Sequence, residues 1–318
     1  MLTARRELEN LAAAQRRLLP QAAPELPGYE LCLAYRPARA ATGDYHDFFP
    51  RPGGRLAVFV GDGSGHGPAA SMLMATMRTI LHTHPGLHRE PGATLAGVAP
   101  LFHALTAADL FMTGVYLLLG AGGRVSWASA GHDPPLRVRP GADVAPAGLG
   151  PVGLPLGVSA ATAYDTVGWR LRRGERLLLF TDGLVEARRA DGAPFGRRRL
   201  RAELARLAGR PLAEMVRRLI DRVNAHQGAG QFEDDFTIVA VEWVGRPGRR
   251  PHSERGEPWH NSRAGTCSSS GRAPACGWCG SFARTCATNS TTTPTRRPAR
   301  CTRSCLHGRS PTSGKARP

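Results

Sequence analysis

Lysine is almost missing from this 318-residue chain: Lys315 is the only one, and the other 41 basic residues are arginine. Cysteine is scarce in the first 245 residues, where Cys32 stands alone; the other six fall between Cys267 and Cys305. A body with one cysteine excludes a disulfide framework and points to a reducing compartment. No apolar run approaches the ~20 residues a membrane span needs. The first twenty residues lack the apolar centre of a secretory signal. These absences predict a cytoplasmic protein with no membrane partner.

The formal charge of +17 suggests a nucleic-acid binder until its distribution is read. Residues 246–318 hold fourteen basic and two acidic residues, a net +12, which leaves +5 for residues 1–245. An arginine excess of this kind fits codon bias in a GC-rich gene better than phosphate recognition, so nucleic acid is not the expected partner of the body.

The stretch from Val58 to Gly67 (VFVGDGSGHG) organises the rest. Arg55 to Gly61 predicts a short buried strand, Asp62 stands at its end, and glycines alternate at 61, 63, 65 and 67, so that backbone can turn sharply and approach a ligand closely. From Pro68 to His84, Leu73, Met77, Ile80 and Leu81 recur at helical spacing. The loop is not a P-loop, which needs lysine. The glycines do not follow the dinucleotide G-x-G-x-x-G pattern, and Asp62 occupies the glycine position of a nucleophile elbow.

In chain order, Thr3 to Leu19 predicts a helix with Leu8, Leu11 and Leu18 along one seam and Gln15 at the fourth seam position. It either packs on its own domain or serves as a short linker or dimerisation helix over residues 1–22. Strands are predicted at Tyr29–Tyr35, Gly114–Leu119, Arg124–Ala128, Gly174–Phe180 and Phe236–Trp243. Helices are predicted at Pro91–Ala108 and over most of Arg197–Ala225. A polar loop runs from Arg36 to Asp47 around Gly43-Asp44, and a Gly/Pro-rich linker from Pro140 to Gly157. Hairpin-like strand pairs outnumber strand–helix–strand units, which favours an α+β layering with antiparallel sheets.

Asp62 and Asp182 each stand where a predicted strand stops, followed by glycine, and Asp234 stands where one starts. In antiparallel sheets one strand's end lies beside its neighbour's beginning, so these carboxylates can share one rim. Clustered like charges need a cation, and oxygen-only donors select hard ions such as Mg²⁺ or Mn²⁺. Each Asp-Gly alone is also an ordinary turn. Two ions about 4 Å apart can activate water for in-line attack on phosphorus.

Together, YRPAR…GDYHDFF, VGDGSGHG-PAA, FMTGVYLLL, ASAGHDPPL, GLPLGV, GERLLLFTDGLVEAR, FGRRRL and DDFTIV resemble the stage II sporulation protein E-like branch of the metal-dependent type 2C (PPM) serine/threonine protein phosphatases. The resemblance spans about Leu26 to Val244, giving a phosphatase domain over residues 23–245. It implies a four-layer α-β-β-α sandwich of two antiparallel sheets flanked by helices, with two Mn²⁺ or Mg²⁺ ions between the sheets. By motif, Asp62 matches the bridging ligand, Gly63 a backbone-carbonyl ligand, Asp182 and Asp234 further ligands, and Asp235 the second member of its pair. Asp44 matches a position that acts through metal-bound water. The resemblance also implies hydrolysis without a phosphoenzyme, a phosphorylated anti-sigma factor antagonist as substrate, and a role in partner-switching control of transcription. The N-terminal helix resembles the family's linker helix, with no sensor domain expected ahead of it.

Three departures stand out. Thr42 replaces the usual glycine before Gly43, Gly63-Ser64-Gly65 replaces Val-Ser-Gly, and Tyr45-His46-Asp47 replaces a more usual aromatic pair. His66 and His132 each read either as a general acid/base or as a brace of its loop, with His66 the better site candidate. Arg36 either holds the substrate phosphate or braces the loop to Asp44. Other readings are a catalytically weak binding module on the same cleft and a basic nucleic-acid binder acting through the tail. Residues 246–318 contain no Asp, Ile, Val, Met or Tyr and one leucine, too little to bury a core. That tail reads as an out-of-frame translation, as plain disorder, or as a zinc or nucleic-acid module built on Cys276, Cys279, Cys301 and Cys305.

Overall fold

The computed structural model describes residues 2–38, 41–141, 143–148, 150–228 and 234–245. The expectations for the tail, residues 246–318, lie outside them. The first half contains α1 (Leu2–Leu18), β1 (Tyr29–Arg36), β2 (Tyr45–Arg51), β3 (Arg55–Gly63), α2 (Pro68–Thr83), α3 (Pro91–Leu105), β4 (Met112–Leu119) and β5 (Arg124–Ala130). The second half contains β6 (Leu136–Val138), β7 (Ala145–Pro146), β8 (Val167–Arg170), β9 (Arg176–Phe180), α4 (Gly183–Glu186), α5 (Gly196–Leu207), α6 (Leu212–Gln227) and β10 (Phe236–Trp243).

The strands form two five-stranded sheets, ordered β1-β10-β9-β6-β7 and β2-β3-β4-β5-β8. Every pairing between these strands is antiparallel. β3 shows why four layers result. Successive side chains of a strand point to opposite faces. Leu56, Val58 and Val60 enter a core shared with Leu177, Leu179, Val239 and Val241 of the facing sheet. Ala57 and Phe59 enter a second core with Leu73, Met77 and Ile80 of α2 and Leu95 and Phe102 of α3. A third core joins Leu178 and Ile238 to α5 and α6 through Leu200, Leu204, Met215 and Leu219. Both faces of the central strands are dry, so their sequences run apolar instead of alternating. The expected α-β-β-α sandwich is the observed one.

Three local expectations are corrected. β2 lies where a polar loop was expected to continue to Asp47. Its polar side chains are buried and paired instead of solvated: Asp47 accepts hydrogen bonds from the Tyr45 hydroxyl at 2.8 Å and from Arg78 at 2.9 Å. The linker Pro140–Gly157 contains the two-residue strand β7, and β8 closes a sheet edge with no periodic signal of its own. The segment Arg197–Ala225 is largely helical, as expected, in two pieces, with Pro211 at the N-cap position of α6. The seam of α1 is split: Leu8 and Leu18 are each 40% exposed, whereas Gln15 is 4% exposed.

Phe59 ties the middle of this arrangement together. Its ring lies 5.5 Å from that of Tyr45, and a Cβ at Gly114 would stand 2.5 Å from it. We predict that Phe59→Ala destabilises the protein by about 3–5 kcal/mol, as large-to-small changes in a closed core do. Urea unfolding measures this, and an unchanged midpoint would contradict the packing described.

Candidate functional site

The carboxylates singled out by sequence come from both sheets. Asp62 lies within β3, one residue before its end, opposite Thr113 of β4. Asp44 directly precedes β2, whose first residue pairs with Gly61. Asp182 lies two residues past the end of β9, and Asp234 and Asp235 precede β10, whose Ile238 pairs with Phe180. Antiparallel pairing thus puts the end of β9 beside the start of β10, and the start of β2 beside the end of β3.

Asp44 joins the two edges. It is 1% exposed. Its Oδ2 accepts hydrogen bonds from the hydroxyls of Thr181 at 2.8 Å and Thr237 at 2.7 Å, both in the facing sheet. The Thr181 hydroxyl oxygen in turn accepts from the Thr237 amide at 2.8 Å. Below Asp44, its own amide donates to Thr42 Oγ1 at 3.0 Å. The Gly63 amide donates to Gly43 O at 3.2 Å. A Cβ at residue 43 would lie 2.6 Å from Gly63 O and 2.9 Å from Asp62 Oδ1, so only glycine admits this approach. The same holds at Gly183, where a Cβ would stand 2.0 Å from Asp235 O.

The electrostatics agree with a shared site. Burial, followed by the charges of Asp44, Asp182, Asp234 and Asp235, raises the Asp62 carboxyl to about 9. Burial raises Asp44 to about 8 against the lowering effect of the two threonine hydroxyls, and Asp235 and Asp182 add to the rise. Asp182 is raised by desolvation and then by Asp234 and Glu186. Because Asp182 is exposed, its like-charged neighbours are the more durable cause. Asp234 is exposed, and its Oδ1 accepts the Asp235 amide at 2.9 Å. Asp235 is buried, and one of its oxygens accepts from the Ala38 amide at 2.7 Å.

Among the described residues no group of three or more His, Cys, Asp or Glu side chains stands arranged to hold a metal ion. The donor chemistry nonetheless fits hard divalent cations. Every donor is an oxygen, and carboxylates whose protons are retained to about 8 and 9 gain most from a cation that replaces those protons.

The remaining sequence candidates separate. His132 braces: its Nε2 donates to Phe180 O at 2.9 Å and its Nδ1 accepts from the Thr113 hydroxyl at 2.9 Å. Burial lowers its pKa, which keeps the ring neutral in that tautomer. It therefore spans the two sheets just behind Asp62 and Asp182. His66 is exposed in the glycine loop. Arg36, at the end of β1 opposite Phe236, is exposed and donates to Asn224 Oδ1 at 3.3 Å. Sequence reasoning missed the hydroxyls of Thr181, Thr237 and Thr42. The weak signal for the first two is a threonine inside Thr-Asp-Gly and another two residues after Asp235.

A pH dependence follows. In the metal-free protein Asp44 and Asp62 keep protons that the unfolded chain releases near pH 4, so the folded state binds more protons between that pH and about 9. Stability is full below the unfolded pKa and falls as pH rises through this window. Asp62→Asn removes one of the two raised carboxyls. We predict that the melting temperature of EDTA-treated wild type falls relative to Asp62→Asn by at least about 3 °C between pH 5 and pH 9. Parallel curves would contradict the raised pKa.

The Stage II sporulation protein E (SpoIIE) family matches residues 52–244. Protein IcfG of Synechocystis sp. is 26% identical over 271 residues, covering 74% of this chain and 41% of its own length. The phosphoserine phosphatase RsbU of Bacillus subtilis is 25% identical over 240 residues, covering 74% of this chain and 69% of its own length. The chain thus spans about two fifths of the first of these relatives. Among solved structures, the SiaA-PP2C domain of Pseudomonas aeruginosa superposes with a TM-score of 0.66 at 21% identity, over 76% of this chain and 99% of that one. The sandwich is the fold of that domain, and the family match covers more than half of the sequence, including Asp62, Asp182 and Asp234. The chain belongs to the Stage II sporulation protein E (SpoIIE) family.

Proposed function

We propose that this protein is a Mn²⁺- or Mg²⁺-dependent serine/threonine phosphatase that removes phosphate from a phosphorylated protein. The observation that carries the reading is the convergence of Asp44, Asp62, Asp182 and Asp234, from two sheets, into one electrostatic neighbourhood. Asp62, Asp182, Asp234 and the Gly63 carbonyl are the residues that would hold two ions, with Asp44 completing the donor set and Asp235 a lesser candidate. Bound there, the ions supply positive charge for the phosphate and lower the pKa of a water molecule. The chain's own part is to fix the oxygens. Thr181 and Thr237 orient Asp44, and Gly43 and Gly183 let backbone approach without a side chain. His132 holds the strand ends at a set separation. Arg36 and His66 are the proposed substrate-binding side chains, with His66 placed on the exposed loop to act also as an acid or base.

The substrate class follows from the family resemblance: a phosphorylated anti-sigma factor antagonist-like protein, in partner-switching regulation. The Bacillus subtilis relative is named a phosphoserine phosphatase, which supports a phosphoserine substrate. Among the described residues no helix is long and apolar enough to cross a membrane, and the half-buried free Cys32 fits a reducing cytoplasm.

The test is hydrolysis of p-nitrophenyl phosphate and of a phosphoserine peptide with and without Mn²⁺. Asp62→Asn is expected to lose at least about a hundredfold in kcat, the scale of a metal contribution worth several kcal/mol. Absence of metal-dependent turnover in wild type, or full activity in the variant, would replace this reading with that of a binding module on the same cleft. We also predict that Arg36→Ala raises KM for the phosphopeptide more than it lowers kcat; a pure kcat effect would remove Arg36 from the binding role. For α1, the exposed Leu8 and Leu18 support a homodimer contact. Light scattering on Leu8→Glu/Leu18→Glu should then give monomers from a dimeric wild type, and a monomeric wild type rules the contact out.

A further inference from the structure

The deepest polar contact of the N-terminal helix lies next to the carboxylate cluster. Its neighbours Ala13, Ala14, Arg16 and Arg17 face solvent, yet Gln15 is 4% exposed. A buried amide is costly unless both of its ends are bonded. Here both are bonded, and to one residue. Gln15 Nε2 donates to Thr42 O at 2.6 Å, and Oε1 accepts from the Thr42 amide at 3.1 Å. A side chain is thus doing to Thr42 what a neighbouring strand does to a residue in a ladder. Ser71 of α2 stands beside the pair, with its Oγ 3.5 Å from Gln15 Oε1, 3.4 Å from Thr42 O and 3.0 Å from Gly67 O.

We infer that Gln15 is a positioning residue for the Asp44 loop, acting through Thr42; the inference rests on the metal-centre reading above. Three consecutive residues of that loop are held from three directions. Residue 42 is held by α1, residue 43 by the Gly63 amide of β3, and residue 44 by Thr181 and Thr237 of the facing sheet. Of these, only the first comes from outside the sandwich. The Thr42 hydroxyl passes the constraint on, because it accepts the Asp44 amide at 3.0 Å. Glutamine suits this position chemically: asparagine is one carbon shorter, glutamate has no donor for Thr42 O, and leucine has neither group. The departure from the usual glycine at 42 then has a use. Its backbone serves the clamp and its hydroxyl serves Asp44.

The experiment compares wild type, Gln15→Leu, Gln15→Glu and, as a packing control, Leu11→Ala, one turn away on the same helix face and half-buried. Hydrogen exchange of metal-free full-length protein reads the clamp, and calorimetric Mn²⁺ titration reads the site. Gln15→Leu is expected to speed amide exchange at residues 42–44 and to weaken Mn²⁺ binding about tenfold, the low end for loss of an outer-shell partner. Its kcat should recover at saturating Mn²⁺. Gln15→Glu keeps the acceptor and should fall between Gln15→Leu and wild type, which preserves the test if Gln15→Leu does not fold. Leu11→Ala should leave both readouts at wild-type values. Unchanged exchange or unchanged Mn²⁺ affinity in Gln15→Leu, or equal effects from Leu11→Ala, would overturn the inference. A wild type that binds no Mn²⁺ would overturn the metal-centre reading instead, and the metal-free exchange arm keeps the two failures apart.

Discussion

Mutual repulsion among carboxylates is the constraint on which this structure turns. Asp44, Asp62, Asp182 and Asp234 sit within reach of one another's charge, and the first two are also desolvated. Once its protons leave, an arrangement of this kind pushes itself apart unless a cation or the scaffold resists. The resistance comes from three apolar cores on either side of and between the sheets, which fix strand ends that local forces would separate. The cores lie behind the site and the charges at its edge, so stability and chemistry occupy different parts of the same strands.

Polar ties carry that rigidity to the edge. The Asp44 carboxylate reaches across to Thr181 and Thr237, and the His132 ring links Thr113 to Phe180. Both ties cross from one sheet to the other, and both are buried, where hydrogen bonds are strong and a missing partner is costly. The site is therefore a property of the gap between the sheets and not of either sheet. At the edge of each sheet a glycine admits a close backbone approach, at Gly43 beside Gly63 and at Gly183 beside Asp235.

Much of this was legible in the sequence, for identifiable reasons. Asp62 and Asp182 follow apolar β-branched or leucine-rich runs and precede glycine, so a strand followed by a turn places each without knowledge of the other. Antiparallel layering was legible from the hairpin-like strand pairs, and the four-layer sandwich from the family resemblance. What was not legible depended on partners far along the chain. β2 reads as a polar loop because Asp47 finds Arg78, 31 residues on, only after α2 has packed. Gln15 reads as a flaw in a leucine seam because Thr42 is 27 residues away. His132 offers a titratable ring that looks catalytic, and only the carbonyl of Phe180, 48 residues on, shows it to be a neutral strut.

The position of β10 has a consequence for how the protein is made. It is the last described strand in sequence, yet it lies inside its sheet, pairing with β1 on one side and β9 on the other. A chain emerging from the ribosome can assemble the β2-β3-β4-β5-β8 sheet as soon as residue 170 is free, because that sheet is complete without later residues. The other sheet has no centre until Trp243 emerges. Until then β1 and β9 have open edges that their later neighbour must fill. The carboxylate cluster is thus incomplete until β10 emerges: a nascent chain carries Asp44 and Asp62 on a finished sheet while Asp182 waits for the strand that brings Asp234 beside it.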